Sequence, residues 1–206
     1  MSTTDADIGA ITLTDDDLDP YVMRARAQRL LTTAGAGDEV PSYGRIAALI
    51  RPLARISAPG TGLALDLPPR LLDEEFGPGR IMRFEDVDFP AALTHEPTRR
   101  FLRERGLPED GVVFQLDTEV PLPTLGEYYA QARPGDFSDA ELPGRADRLI
   151  RLGQLTEDTA LVVHGTTGAV LAWSERERSL RPLDADISAL AFTLWLLHRA
   201  HPGGGE

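Results

Sequence analysis

The chain of 206 residues carries 33 acidic against 21 basic side chains, a formal net charge of −12, and no cysteine. Without cysteine there are no disulfides, thiolate metal sites or thiol nucleophiles, and because every basic residue is arginine the phosphate-loop lysine, Schiff-base chemistry and lysine general bases are excluded as well. The acidic balance argues against a nucleic-acid binder, which gains affinity by setting a basic face against phosphates, and favours a basic partner.

The length suffices for one well-buried core, and no apolar run is long enough to cross a bilayer. Residues 1–14 are small and polar without periodicity and read as a disordered tail. They lack the basic-then-apolar order of a signal peptide, so a cytoplasmic location is expected. Residues 15–60 read as an N-terminal helical extension. Asp19-Pro20 offers a cap and a proline at the first helical position, and Met23, Ala27, Leu30, Leu31 and Ala34 form a stripe that stops at Gly35. A second helix begins near Ser42 with Ile46, Leu49, Ile50 and Leu53 on one face, and Pro52 should kink or end it. The stretch Ala58-Pro59-Gly60-Thr61-Gly62 sets a boundary, with the main domain at 61–200 and a flexible tail at 201–206.

Past the boundary, Leu63, Leu65 and Leu67 alternate like a short half-buried strand, and Pro69 to Phe76 form one or two helical turns stopped by Gly77-Pro78-Gly79. Arg80 to Phe84 reads as a strand. Glu96-Pro97 starts a helix that Phe101 and Leu102 anchor and that Gly106, Leu107 and Pro108 close. Val112 to Leu116 is a strand after the Glu109-Asp110-Gly111 turn. Thr124 and Glu127 have capping-box spacing and open a helix carrying Tyr128 and Tyr129, ended by Arg133-Pro134-Gly135. The last third contains a short strand Leu149 to Gly153, a hairpin of Thr159 to His164 with Ala169 to Ser174 across Gly165 to Gly168, and a strand Ser179 to Pro182. Asp184 or Asp186 can then cap a helix whose apolar face is Ile187, Leu190, Ala191, Leu194 and Leu197.

The run LIRLGQLTEDTALVVHGTTGAVLAW, followed by LRPLDADISALAFTLWLLH, resembles the C-terminal half of SUKH superfamily immunity proteins of the fourth SUKH immunity family. FGPGRIMRFEDVDFPAAL, HEPTRRFLRERGLPED and DTEVPLPTLGEYYA fit the same family in the same order, so the likeness spans Leu67 to His198, about two thirds of the chain. The resemblance implies an α+β fold: a mixed β-sheet packed with helices and a closing C-terminal helix, here with an N-terminal helical extension. It implies a non-enzymatic protein, without cofactor or metal, that neutralises a cognate toxin of a polymorphic toxin system. The resemblance implies toxins that act on nucleic acids, among them nucleases and deaminases, which often carry basic clefts. The same fold also serves as a regulatory or scaffold module that binds a non-toxin protein, so the fold alone leaves two functions open.

Candidate partner-binding residues follow from charge and aromatic placement. Asp15-Asp16-Asp17 with Asp19, Asp73-Glu74-Glu75, Glu85-Asp86 with Asp88, and Glu109-Asp110 are acidic clusters. They are either solvated loops and helix starts or a negative surface that steers a cationic partner. Tyr128 and Tyr129 point about 100° apart on a helix, so one seam cannot bury both, and an exposed tyrosine can anchor an interface. Glu85, Asp86, Asp88, Glu109, Asp110 and Tyr128 are therefore the candidate contacts. Trp173 and Trp195 lie in apolar runs and read as core. His198 and His201 have HxxH spacing but no local acidic third ligand, while His95 and His164 sit at a helix start and a hairpin turn. No histidine is assigned to metal. The glycine pairs at 60–62 and 77–79 lack a third glycine and a following helix, and there is no nucleophile elbow.

Overall fold

Pro20 opens helix α1 (Pro20–Thr33), where a ring with fixed φ and no amide hydrogen is tolerated best. The computed structural model describes residues 20–35, 46, 55–56, 60–135, 137 and 141–200. Met23, Ala27, Leu30 and Leu31 are buried along one stripe of α1, and Gly35 follows in the left-handed region. The expected second helix lies outside the described residues except for Ile46, which is helical and buried. The acidic run Asp15 to Asp19 and His201 also lie outside them.

Strands β1 (Arg55–Ile56) and β2 (Leu65–Asp66) pair antiparallel. The short helix α2 (Leu71–Phe76) ends at Gly77, as the breaker cluster requires. Strand β3 (Ile81–Met82) pairs antiparallel with β4 (Leu107–Pro108), and α3 (Glu96–Glu104) lies between them in the chain. Gly106 turns the chain from α3 into β4: its φ is 74°, its N–H donates to Phe101 O at 3.0 Å, and a Cβ there would sit 2.2 Å from Met82 O. Only glycine meets both demands.

The principal sheet is built from β5 (Gln115–Leu116), β6 (Leu149–Thr156), β7 (Thr159–His164), β8 (Val170–Ser174) and β9 (Ser179–Asp184), in that spatial order. Helix α4 (Leu125–Ala132) lies between β5 and β6 in the chain. Every ladder is antiparallel, so the expected mixed sheet narrows to an antiparallel one, as a run of hairpins demands. Strand β6 does not stop at glycine as expected. It bulges against β7 between Arg151 and Gly153 and continues to Thr156, and on its other edge the missing Cβ of Gly153 lets Gln115 O and the Phe114 ring come close enough for β5 to pair there. Strand β5 is shorter than expected: Gly111 N–H donates to Phe114 O at 2.8 Å, which turns residues 111–114 away from the ladder. Strand β9 is the far edge of the sheet, where Pro182 and the charge of Arg181 suit a row with no outer strand among the described residues.

Alternate residues feed two cores. Ile150, Leu152, Leu161, Val163, Val170 and Ala172 face one side, with helix α5 (Ile187–Ala200). Leu149, Ala160, Val162, Leu171 and Trp173 face the other, with Leu125 and Tyr129 of α4. Burial on both faces explains why the strands read as near-continuous apolar runs.

Asp186, rather than Asp184, caps α5. Its Oδ1 accepts the N–H groups of Ser188 and Ala189 at 2.9 and 3.1 Å, and its Oδ2 takes Ala64 N–H, fastening the chain beyond the expected boundary to the helix start. Asp184 instead ends β9, buried beside Arg26 of α1 at 3.5 Å. The expected one-sided apolar face of α5 is in fact a helix buried all round from Ile187 to Leu197, because the sheet lies on one side and α1, α2, α3 and β2 on the others. Trp195 sits in that core, stacked on Phe192, and Trp173 sits in the opposite one.

Candidate functional site

A cleft of about 1000 Å³ opens beside β5, between the 87–91 turn, the 115–123 segment and the exposed side of α4. Three local structures make its walls. Residues 86–88 form a 3₁₀ turn in which Asp88 Oδ2 accepts Glu85 N–H at 2.8 Å. Leu122 N–H donates to Asp88 O at 2.8 Å, tying that turn to the 115–123 segment. The capping box forms as the spacing requires: Thr124 Oγ1 accepts Glu127 N–H at 3.2 Å, and Glu127 Oε2 accepts Thr124 N–H at 2.8 Å.

Arg151 of β6 lies at the floor. It is 4% exposed and points to the α4 side of the sheet, where its strand neighbours are apolar. Its guanidinium pairs with Asp117, lies 4.0 Å from the centre of the Tyr128 ring, and reaches Gln154 Oε1 at 3.3 Å. Its main-chain N–H donates to Pro123 O at 2.9 Å. Burial pulls the Arg151 pKa down to about 10, so the group remains a cation near neutral pH. Its Nε–H is buried without a hydrogen-bond partner among the described residues.

Beyond Arg151 the lining is mixed. Asp117, Glu119 and Glu127 are acidic, Val87 and Val120 are exposed apolar side chains, and Phe89, Leu116 and Leu122 form apolar backing. A shallower hollow of about 430 Å³ adjoins the cleft through Gln115 and Gln154, which line both, and it carries Asp110, Val112 and Glu157.

The candidate contacts read from the sequence are dispersed around these hollows. Tyr128 is half-buried and lines the cleft, while Tyr129 is buried: its hydroxyl donates to Glu175 at 2.9 Å and accepts the Trp173 indole N–H at 3.0 Å. Burial first, then the bond to Glu175, pushes the Tyr129 phenol far up. Asp110 is exposed in the smaller hollow, and Glu109 is half-buried, its backbone bonded to Arg80 and Leu116. Glu85, Asp86, Asp88 and Glu109 do not line either hollow. Asp86 is paired with Arg99 at 3.1 Å and Arg103 at 2.8 Å, and the bond to Arg99, aided by Arg103, holds its carboxyl below the usual carboxylate range. Asp73 and Glu75 are similarly engaged, with Arg83 and with His198 and Arg199.

Sequence reasoning missed Arg151, Asp117, Glu119, Val87 and Val120. One signal was available for Arg151, a lone cation inside a β-rich apolar run. The valines had none, because exposure is decided by the turns that carry them. His95 and His164 serve local structure: His95 Nδ1 bonds Thr98 Oγ1 at 2.8 Å, and His164 Nδ1 accepts Thr166 and Thr167 N–H at the hairpin turn. Among the described residues no group of three or more His, Asp or Glu could hold a metal ion, and no helix is long and apolar enough to cross a membrane.

The architecture defines an α+β protein: a principal five-stranded antiparallel sheet with α4 on one face and the enclosed helix α5 on the other, beside two short two-stranded pairs. The sequence profile of the SUKH-4 immunity protein family matches residues 67–204, and the chain belongs to that family. No curated protein and no solved structure matches it.

Proposed function

We propose that the chain is an immunity protein that binds a cognate polymorphic toxin, a basic protein acting on nucleic acid, and neutralises it in the cytoplasm by occupying its working surface without catalysis of its own. The observation that carries this reading is membership of the SUKH-4 immunity protein family over residues 67–204. The net charge of −12 supports a basic partner, since opposite charge raises encounter rates and suits a cleft built for nucleic acid. On this reading Glu85, Asp88, Glu109 and Asp110 contribute to the long-range field, Asp86 contributes less because two arginines already offset it, and Tyr128 makes direct contact. An affinity below nanomolar over about 1,600 Å² of total buried area is expected of such a pair.

The test is co-expression with the product of the reading frame adjacent to this chain's gene. Growth restored only when the two are expressed together, with a stable complex on purification, supports the proposal. A product that is harmless, or that kills equally in the presence of this chain, overturns it in favour of a regulatory or scaffold role. Within a working pair, replacing Glu85, Asp86 and Asp88 together with alanine should slow association and flatten its salt dependence. An unchanged association rate removes that cluster from the encounter surface.

A further inference from the structure

We infer that the partner docks in the Arg151 cleft and the adjoining hollow, and that the docking segment is a basic protein loop with an apolar side chain set between cationic ones. This rests on the reading of the chain as a toxin-binding protein and adds the surface and the chemistry of the segment it receives.

The first support is where apolar surface is left in water. The large hydrophobic side chains exposed among the described residues are Val87, Val112 and Val120, at 79%, 42% and 49%. Single exposed valines need no explanation, but Val87 and Val120 line the cleft and Val112 lines the adjoining hollow. The second support is charge. Asp117, Glu119 and Glu127 line the cleft against the single guanidinium of Arg151, and the hollow adds Asp110 and Glu157. Glu119 makes no hydrogen bond or ion pair among the described residues and is exposed. A cationic segment finds complementary charge there, and an acidic one is repelled.

The third support is Arg151 itself. A buried ion pair whose guanidinium keeps an unpartnered Nε–H is a poor choice for stability, because well-packed apolar side chains in place of both partners often do as well or better. What an apolar residue could not do is hold the wall. Through Asp117 and Tyr128, the Arg151 side chain fixes both flanks of the segment that presents Glu119 and Val120. The bond from Leu122 N–H to Asp88 O holds the turn presenting Val87 to the same frame. The contact groups are thus set in place before a partner arrives, which reduces the ordering that binding requires. Arg151 is a positioning residue here, and the valines and Glu119 are the contacts.

The experiment uses the full chain and the product of the adjacent reading frame, with binding kinetics measured at low and high salt. Three variants probe the site: Val87→Arg with Val120→Arg, Glu119→Arg, and Arg151→Met. Arg181→Glu on the opposite sheet edge is the control. The paired valine variant should weaken affinity about a hundredfold, mainly through faster dissociation, as loss of a central contact does. Glu119→Arg should slow association about tenfold at low salt, with the deficit closing as salt rises. Arg151→Met should weaken binding while leaving the salt dependence of association unchanged, which separates positioning from steering. The control should bind as the parent does. The valine, Glu119 and control variants should keep the parent's unfolding midpoint within a few degrees, and Arg151→Met, which leaves Asp117 without its cation, is measured well below its own midpoint, so lost binding cannot come from lost folding. Parental affinity in the paired valine variant, or an equal loss in the control, overturns docking at the cleft while a parent chain that still binds and protects leaves the proposed function standing. A parent chain that does not bind the adjacent product overturns the proposed function itself.

Discussion

The two faces of the principal sheet solve different problems. On the α5 face the side chains are almost all apolar, and the helix that covers them is itself buried all round from Ile187 to Leu197. On the α4 face a smaller apolar cluster is threaded by polar links: Trp173 to Tyr129 to Glu175 to Arg133, and Arg151 to Asp117 and Tyr128. Dense apolar packing is the cheapest source of stability, whereas buried polar networks contribute little net energy but fix geometry. The α5 face is accordingly where the fold is held, and the α4 face is where a surface is shaped.

That contrast breaks most directly at Phe192, which is fully buried in α5 and stacked on Trp195. Phe192→Ala should lower unfolding free energy by about 3–5 kcal/mol in a urea titration. On the other face, Tyr129→Phe removes the hydroxyl that serves both Trp173 and Glu175 and should destabilise by about 1–3 kcal/mol, since it leaves the buried indole N–H unpaired. A loss there as large as at Phe192 would show that the polar face also holds the fold.

Acid titration sharpens the contrast further. Burial raises the Asp184 carboxyl from 3.8 to about 6, although Arg26 pulls the other way. The folded chain therefore holds this proton more tightly than the unfolded one. The resulting stabilisation is fully present below pH 3.8 and is lost as pH rises through about 6. The parent's stability curve should differ from that of Asp184→Asn by a slope of up to about 1.4 kcal/mol per pH unit inside that window. Parallel curves would mean that Arg26 fully offsets the burial. Thr124→Ala opens the capping box of α4 and should lose about 1 kcal/mol. Replacing the buried pair as a whole, Arg151→Met with Asp117→Leu, should change stability least, by less than about 1 kcal/mol in either direction, because apolar side chains recover what the lost pairing gives up and no charge is left without its partner.

Much of the fold was legible in particular residues. The apolar stripe of α1, the Thr124 and Glu127 capping box, the Gly106 helix stop and the hairpin at Gly165 to Gly168 each depend on chemistry within a few residues, and each appears in the structure. The need for glycine at 153 was not legible, because it arises from the approach of Gln115 O, on a strand far away in the chain. The candidate site was legible in part. Acidic clusters can be counted in a sequence, but whether a carboxylate remains unpaired depends on which arginines the fold brings to it, as Arg99 and Arg103 are brought to Asp86.

Local grammar, family and the sign of the charge were all readable from the order of residues, because caps, turns, periodicity and composition act over short distances or need no geometry. The enclosure of α5 on every side, its capping by Asp186 rather than Asp184, and the meeting of Arg151, Glu119, Val87 and Val120 around one cleft came from packing alone. Those outcomes depend on residues distant in the chain competing for the same space and the same hydrogen bonds, and that competition is resolved only when the elements pack.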